Sequence, residues 1–204
     1  MSQPVLSDEA FFEERNLTDV GWEGHATHGV EITDCTVTGS SWTSTQWTKV
    51  RLRGNTIDRS NLSGMFAEDS TWLKTTLQHS RATGLHWINS RLRHSKLTDN
   101  RLDLSAWRFT TIEGTEFRDC DLSGADFTNA TLTNTRFLNC NLTEASFHHV
   151  NCTSVTFDNT TLTDIDGIRY LAGSTIDSAA ALNLAPALAS ALGITVSHGD
   201  SHHP

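Results

Sequence analysis

The sequence predicts an all-β chain: a parallel solenoid of square cross-section, closed at its C-terminal end by a short helical segment. Three observations carry this. A large apolar residue returns every fifth position from Phe12 to Leu162, as in Ile112, Phe117, Leu122, Phe127, Leu132, Phe137, Leu142, Phe147, Cys152, Phe157 and Leu162. Helices repeat at 3.6 residues and strands at 2, so neither accounts for a period of five. All six tryptophans fall on this register. A second series, two positions earlier, is mostly small: Ser40, Thr45, Val50, Asn55 and Ser60, later Cys120, Ala125, Ala130, Thr135, Cys140 and Ala145.

Calling the large position i, two of every five residues (i and i−2) point inward, and i−1, i+1 and i+2 are mostly polar. Five residues then make one side and one corner, and four such units close a coil. Coils stack by backbone hydrogen bonds at about 4.8 Å, like strands of a parallel sheet. Nearest-neighbour stacking of this kind needs capped ends. Residues 1–11 carry no pattern and are expected to be a tail or cap over the first coil; 12–166 form the solenoid, a rod roughly 35–40 Å long at about 4.8 Å per coil.

Stacking places residues twenty apart in columns. One column reads Trp47, Ala67, Trp87, Trp107, Phe127, Phe147; another reads Trp22, Trp42, Leu62, Ala82, Leu102, Leu122. Ala67 lies between two tryptophans and has an unusually large residue, Met65, at its i−2 position, which is volume compensation in a close-packed interior. Each buried indole N–H needs a partner, expected from corner carbonyls or a locally widened coil. The register is weakest at Gly24-His25-Ala26-Thr27-His28-Gly29, where an irregular corner or bulged first coil is expected.

Residues 167–196 read as a helical segment. Ser178–Leu192 is rich in alanine and leucine; Thr175, Asp177 or Ser178 can cap it, Gly193 can end it, and Pro186 should kink or divide it. Residues 194–196 are a candidate short strand. Its apolar residues, Ile168, Tyr170, Leu171, Leu182, Leu184, Leu188, Leu192 and Ile194, exceed what one coil end needs, and such a surface marks an interface. Residues 197–204 are expected to be a disordered tail whose histidines bind metal weakly at most.

Composition narrows the function. The formal charge of −9 argues against direct nucleic-acid binding. No apolar run is long enough to cross a membrane and no signal peptide opens the chain, so a cytoplasmic location is expected. The four cysteines have no metal-ligand spacing and read as reduced, buried fillers. No cofactor, metal or catalytic motif is legible, and a solid rod offers no pocket that excludes water; the expectation is that the chain is not an enzyme.

Charge is distributed unevenly. Residues 1–34 carry eight acids and one arginine, 49–108 eleven basic residues against five acids, and 111–177 ten acids against three arginines. Arg51, Arg53, Arg91 and Arg93 are expected on one face of the middle. The candidate partner-binding acids are Glu113, Glu116, Asp119, Asp121, Asp126, Glu144, Asp158, Asp164 and Asp166.

The units Cys120-Asp121-Leu122, Ala125-Asp126-Phe127 and Cys140-Asn141-Leu142 resemble the A(D/N)LXX unit of the pentapeptide-repeat proteins, and the resemblance covers about 150 residues. It implies a right-handed quadrilateral β-helix. In size, compactness and C-terminal segment the chain is similar to the Qnr- and MfpA-type members, which bind type II topoisomerases, chiefly DNA gyrase, and protect them from quinolones or toxins by imitating DNA. The unbroken register leaves no room for inserted loops, as in the MfpA-type arrangement. The resemblance also implies a homodimer joined through the C-terminal segment, bringing the two acidic halves together. The alternative is an interaction scaffold for an unrelated protein, which the basic middle favours.

Overall fold

The computed structural model describes residues 4–195. The chain coils around a square prism, with each residue stacked on the one twenty positions on, as in Thr71↔Arg91 and Trp72↔Leu92. The first wall has eight parallel strands, from Phe11–Glu13 to Asn151–Thr153, and passes through Arg51–Arg53, Thr71–Leu73 and Arg91–Arg93. The second has nine, from Asn16–Thr18 to Thr156–Asp158, closed by Thr175–Ile176. The third is held by single bridges, from Gly21↔Ser41 to Asn141↔Thr161. The fourth has strands Ala26–His28, Gln46–Thr48, Phe66–Glu68 and His86–Ile88, then single bridges from Ala106 to Asp166. The protein is a parallel β-solenoid of about eight turns with one C-terminal helix.

The five-residue pattern follows from what each position must do. Position i fills the axis. Phe117, Phe137 and Phe157 stack with centroids 5.0 Å apart, and Phe127 on Phe147 at 5.2 Å. At Ala67 the i−2 residue is the larger Met65, both fully buried; at Ala82 it stays small (Ser80), and the larger Leu85 stands at i−2 of the next unit. Position i−2 is small for a further reason. Its side chain accepts the N–H of the i−2 residue one coil earlier, as Ser60 Oγ does from Ser40 (3.2 Å) and Asn100 Oδ1 from Ser80 (2.9 Å). Many of these hydroxyls also donate to the carbonyl two residues back, as Ser80 does to Gln78. The buried corner is thereby hydrogen-bonded without water. Position i+2 is left-handed: among the described residues 24 non-glycine residues have positive φ, nearly all Asp, Asn, Glu, His, Lys, Arg or Ser. Short polar side chains tolerate that conformation best.

Three expectations are corrected. The first coil is regular: Ala26–His28 pairs with Gln46–Thr48 in register, and Gly24 and Gly29, at φ 68° and 69°, turn its corners. Only the side chain departs, since the His25 ring is exposed and meets the Glu23 carbonyl at 3.1 Å. Coil-to-coil hydrogen bonds fix the backbone, so a poor inward residue swings out rather than breaking register. Next, the indole N–H groups are not generally satisfied. Trp22 donates to the Pro4 carbonyl (3.1 Å) and Trp107 to Ser105 Oγ (2.8 Å), but those of Trp42, Trp47, Trp72 and Trp87 have no partner. The corner carbonyls they would need are already taken by the neighbouring coil. Last, Pro186 does not divide the helix: α1 is continuous over Ser178–Ala191. A proline removes one hydrogen bond from the ladder, and Leu184, buried against the coil end, holds the axis across the gap.

Both ends of the described chain are covered. At the N-terminal end Leu6 is buried, and the Asp8 carboxylate accepts the His28 N–H at 2.9 Å. At the other, Gly167 starts a 3-10 turn, Ile168–Leu171, strand Thr175–Ile176 follows, and Asp177 caps α1 by accepting from Ala180 N at 2.7 Å. Gly193 ends α1 with φ 72°, and the Ile194 N–H returns to the Ala189 carbonyl at 2.8 Å. Ile194 and Thr195 form no strand; Val196 and the tail 197–204 lie outside the described residues.

Candidate functional site

The interior is filled, so chemistry is confined to the walls, the corners and the C-terminal end. The nine candidate acids are distributed over all four walls rather than gathered on one. Glu113 is on the first wall, Glu116 and Asp158 on the second with Asp119 at its corner, Asp121 on the third with Glu144 and Asp164 at its corner, and Asp126 and Asp166 on the fourth. Several are occupied. Glu113 accepts from Arg93 Nε at 2.7 Å, and Glu116 from Arg118 Nε at 3.1 Å with Arg136 at 3.6 Å. Asp126 lies 3.7 Å from Arg108, and Asp166 accepts from His148 at 2.7 Å, a hydrogen bond that holds its carboxyl below the usual range. Asp119 is bonded by Asn139, and Asp121 by Ser123 and Asn141. Glu144, Asp158 and Asp164 are exposed.

The four arginines do share the first wall, as Arg51↔Thr71↔Arg91 and Arg53↔Leu73↔Arg93. Arg51 pairs with Glu31 and Arg93 with Glu113; Arg53, Arg91 and the nearby Lys74 and Lys96 have no ion pair among the described residues.

Asp58, on the second wall, is the most enclosed carboxylate. It meets His79 Nδ1 at 2.9 Å and Arg59 at 2.8 Å. The His79 hydrogen bond and, secondarily, the Arg59 charge hold its carboxyl below the ordinary carboxylate range against the opposing effect of burial. A depressed folded-state pKa contributes stability above the unfolded value, lost as pH falls through the folded value. Asp58→Asn is expected to lower stability by about 1–2 kcal/mol at neutral pH. The gap to the parent should close below about pH 4, as urea denaturation from pH 3 to 7 would show.

The sequence reading missed a cleft of 880 Å³ between the last coil and α1, lined by His148, Asp166, Arg169, Tyr170, Asn183 and Pro186 among others. Of the expected interface residues, Leu171 and Leu184 are buried within the cap itself, and Ile168 and Tyr170 are half-buried. Leu182, Leu188, Leu192 and Ile194 are exposed. Also missed were Phe66, Leu104 and Phe109, apolar and exposed on the middle coils. Their signal was present, since each stands at a position that is otherwise mostly polar. Three of the cysteines are buried and all four are free; burial pushes the Cys152 thiol up to about 11. Among the described residues no group of acids, histidines and cysteines could hold a metal, and no helix is long and apolar enough to cross a membrane.

A family model for pentapeptide repeats, in eight copies, matches residues 108–137 and 125–164. No curated protein matches the chain in sequence. Among solved structures, a trypsin-treated form of QnrB1, a plasmid-mediated fluoroquinolone resistance protein, is 18% identical with a TM-score of 0.44, covering 93% of this chain and 99% of that one. HetL, a pentapeptide repeat protein involved in heterocyst differentiation regulation in Nostoc sp. strain PCC 7120, is 14% identical with a TM-score of 0.35, covering 82% and 85%. A pentapeptide repeat protein of the Arabidopsis thaliana thylakoid lumen is 20% identical with a TM-score of 0.34, covering 54% and 70%. The pentapeptide repeat is recognised by sequence over 108–164, and the same coil geometry runs back to Phe11.

Proposed function

We propose that the protein is a non-enzymatic, cytoplasmic interaction rod whose acidic C-terminal half imitates DNA toward a type II topoisomerase, DNA gyrase, and protects it from a poison such as a quinolone or a toxin. The observation that carries the reading is charge on shape. Residues 111–166 present nine carboxylates against two arginines on a narrow rod with no inserted loop. Their spread over four walls suits the role, because a duplex is also negative around its whole circumference. A basic DNA-binding groove would steer such a surface in. The exposed Leu182, Leu188, Leu192 and Ile194 support a homodimer joined at the C-terminal ends, with the acidic halves adjoining.

A second reading, a scaffold for an unrelated protein, is favoured by the ion pairs that neutralise Glu113, Glu116 and Asp126, and by the basic middle. Gyrase supercoiling and drug-induced cleavage assays separate the two. Under the first reading, added protein changes both activities at micromolar concentration, and truncation before Ser178 weakens the effect. No change in either assay would sink it.

A further inference from the structure

We infer that the middle of the rod carries a second docking surface, centred on the fourth wall, for an acidic, amphipathic segment of a partner protein. The surface uses residues 66–109, outside the acidic half, and stands or falls separately from the topoisomerase reading.

The first observation is strain without local return. Among the described residues, 24 non-glycine residues have positive φ, and Leu104 and Phe109, at 58° and 56°, are the only apolar ones. A bulky apolar residue is disfavoured in that conformation, and these two are 64% and 59% exposed, so the core gains little from them. Glycine at position 124 leaves the room that Leu104 Cδ2 occupies: a Cβ there would meet it at 2.8 Å. Strained residues that the fold does not need point to a function outside it.

The second observation is continuity. Leu104 and Phe109 mark the two corners of the fourth wall in one coil. On the same wall one coil earlier, half-buried Ile88 lies near His86, and the His86 ring meets the exposed Phe66 of the coil before at 5.9 Å, edge-on. Outward apolar side chains thus recur on three successive coils of this wall and its corners, with Glu68 and Arg108 among them, on a rod whose other outward positions are mostly polar.

The third observation is the charge at both edges. Beyond the Leu104 corner, Arg81 and Arg101 are bridged neighbours on the third wall, both exposed. Like charges directly opposite on a ladder are unfavourable. Of the nearby carboxylates, Asp103 accepts from Thr83, and Asp121, bridged to Arg101 in the next coil, accepts from Ser123 and Asn141; neither forms an ion pair with these arginines among the described residues. Beyond the Phe109 corner, a depression of 340 Å³ joins Phe109 to Arg91, which has no ion pair among the described residues; the depression's one acid, Asp69, accepts from Asn89.

An apolar strip with unpaired guanidinium groups on both sides is complementary to a short segment crossing the wall. Its apolar side chains lie on Phe66, Ile88, Leu104 and Phe109, and carboxylates at its ends reach the arginines. Leu104 and Ile88 offer no ring for base stacking, and a long polyanion would meet the acidic coils on either side. A protein segment therefore fits better than nucleic acid.

The test selects random 12-residue peptides displayed on phage against the full chain. Selected peptides should be rich in Asp or Glu alternating with Leu, Phe or Trp. Their binding, read by fluorescence polarisation, should fall at least tenfold in the Leu104→Asn/Phe109→Asn double variant. It should also fall in the Arg81→Gln/Arg91→Gln/Arg101→Gln variant, with a weaker salt dependence. The asparagine variant should be as stable as the parent or more so, because asparagine accepts this backbone. Three results would overturn the inference: no acidic peptide selected, selected peptides indifferent to both variants, or a destabilised asparagine variant. Binding of a 20-nucleotide oligothymidylate, lost in the same variants, would reassign the surface to nucleic acid. Self-association lost in them would reassign it to a second copy.

Discussion

Phe137→Ala is expected to lower the stability of the rod by about 3–5 kcal/mol, the usual cost of deleting a buried aromatic ring. The site has no slack. Phe137 is sandwiched between Phe117 and Phe157 with centroids 5.0 Å away on both sides, and Phe127 meets it edge-on at 5.9 Å. The rings belong to consecutive coils whose backbones are bonded to one another, so the walls cannot close on the void. Because each coil contacts only its neighbours, the loss should be greatest between residues 117 and 157. The midpoint of urea denaturation, followed by far-ultraviolet circular dichroism, measures it. A shift worth less than about 1 kcal/mol would mean that the coils collapse after all. Phe137→Leu keeps most of the volume and should cost far less.

Gly167→Ala should have the next largest effect, by detaching the C-terminal cap. Gly167 has φ 79°, and a Cβ there would lie 2.7 Å from His148 N and from Phe147 C. The left-handed backbone alone costs about 1–3 kcal/mol for another residue, and both close atoms are main chain of the coil beneath. The turn Ile168–Leu171 would have to lift, taking with it the strand Thr175–Ile176 that closes the second wall. Hydrogen–deuterium exchange should rise across 168–192 and in the uncovered edge Thr156–Asp158. Gly193→Ala is the control: φ is 72°, but nothing lies within 4 Å of the added atom. Equal exchange in the two variants would show that the close contact at Gly167 does not hold the cap.

The parts of this fold that were legible in the sequence are those where burial dictates composition. The axis admits only large apolar residues and the tight corners only small ones, so Phe117 to Phe157 and Ser60 to Cys140 disclosed their places. The helix start was readable to within three candidate caps, Thr175, Asp177 and Ser178, of which Asp177 takes the role. The readings that failed weighed a side chain above the backbone that carries it. His25 looked like a break and Pro186 like a division, yet a hydrogen-bonded coil and a packed helix each absorbed one poor residue. The candidate site was less legible, because outward side chains take partners from other coils. Glu113 and Asp126 look like free acids in the sequence; in the fold Arg93 and Arg108 answer them.

The uneven filling of the axis also divides the protein optically. All six tryptophans lie between residues 22 and 107, the coils from Phe117 to Phe157 hold only phenylalanine, and the single tyrosine, Tyr170, is in the cap beside His149. Indole emission therefore reports the coils as far as Trp107, which packs on Phe117 and Phe127, and is silent about the coils beyond. Trp22, Trp42 and Trp47, with centroids 5.0–6.1 Å apart, are close enough to exchange excitation, so their emission should be strongly depolarised while the coil is intact. Unravelling from the cap would show first at Tyr170 and reach tryptophan fluorescence only when the coil of Phe127 opens, so the order in which the two signals change gives the direction in which the rod comes apart.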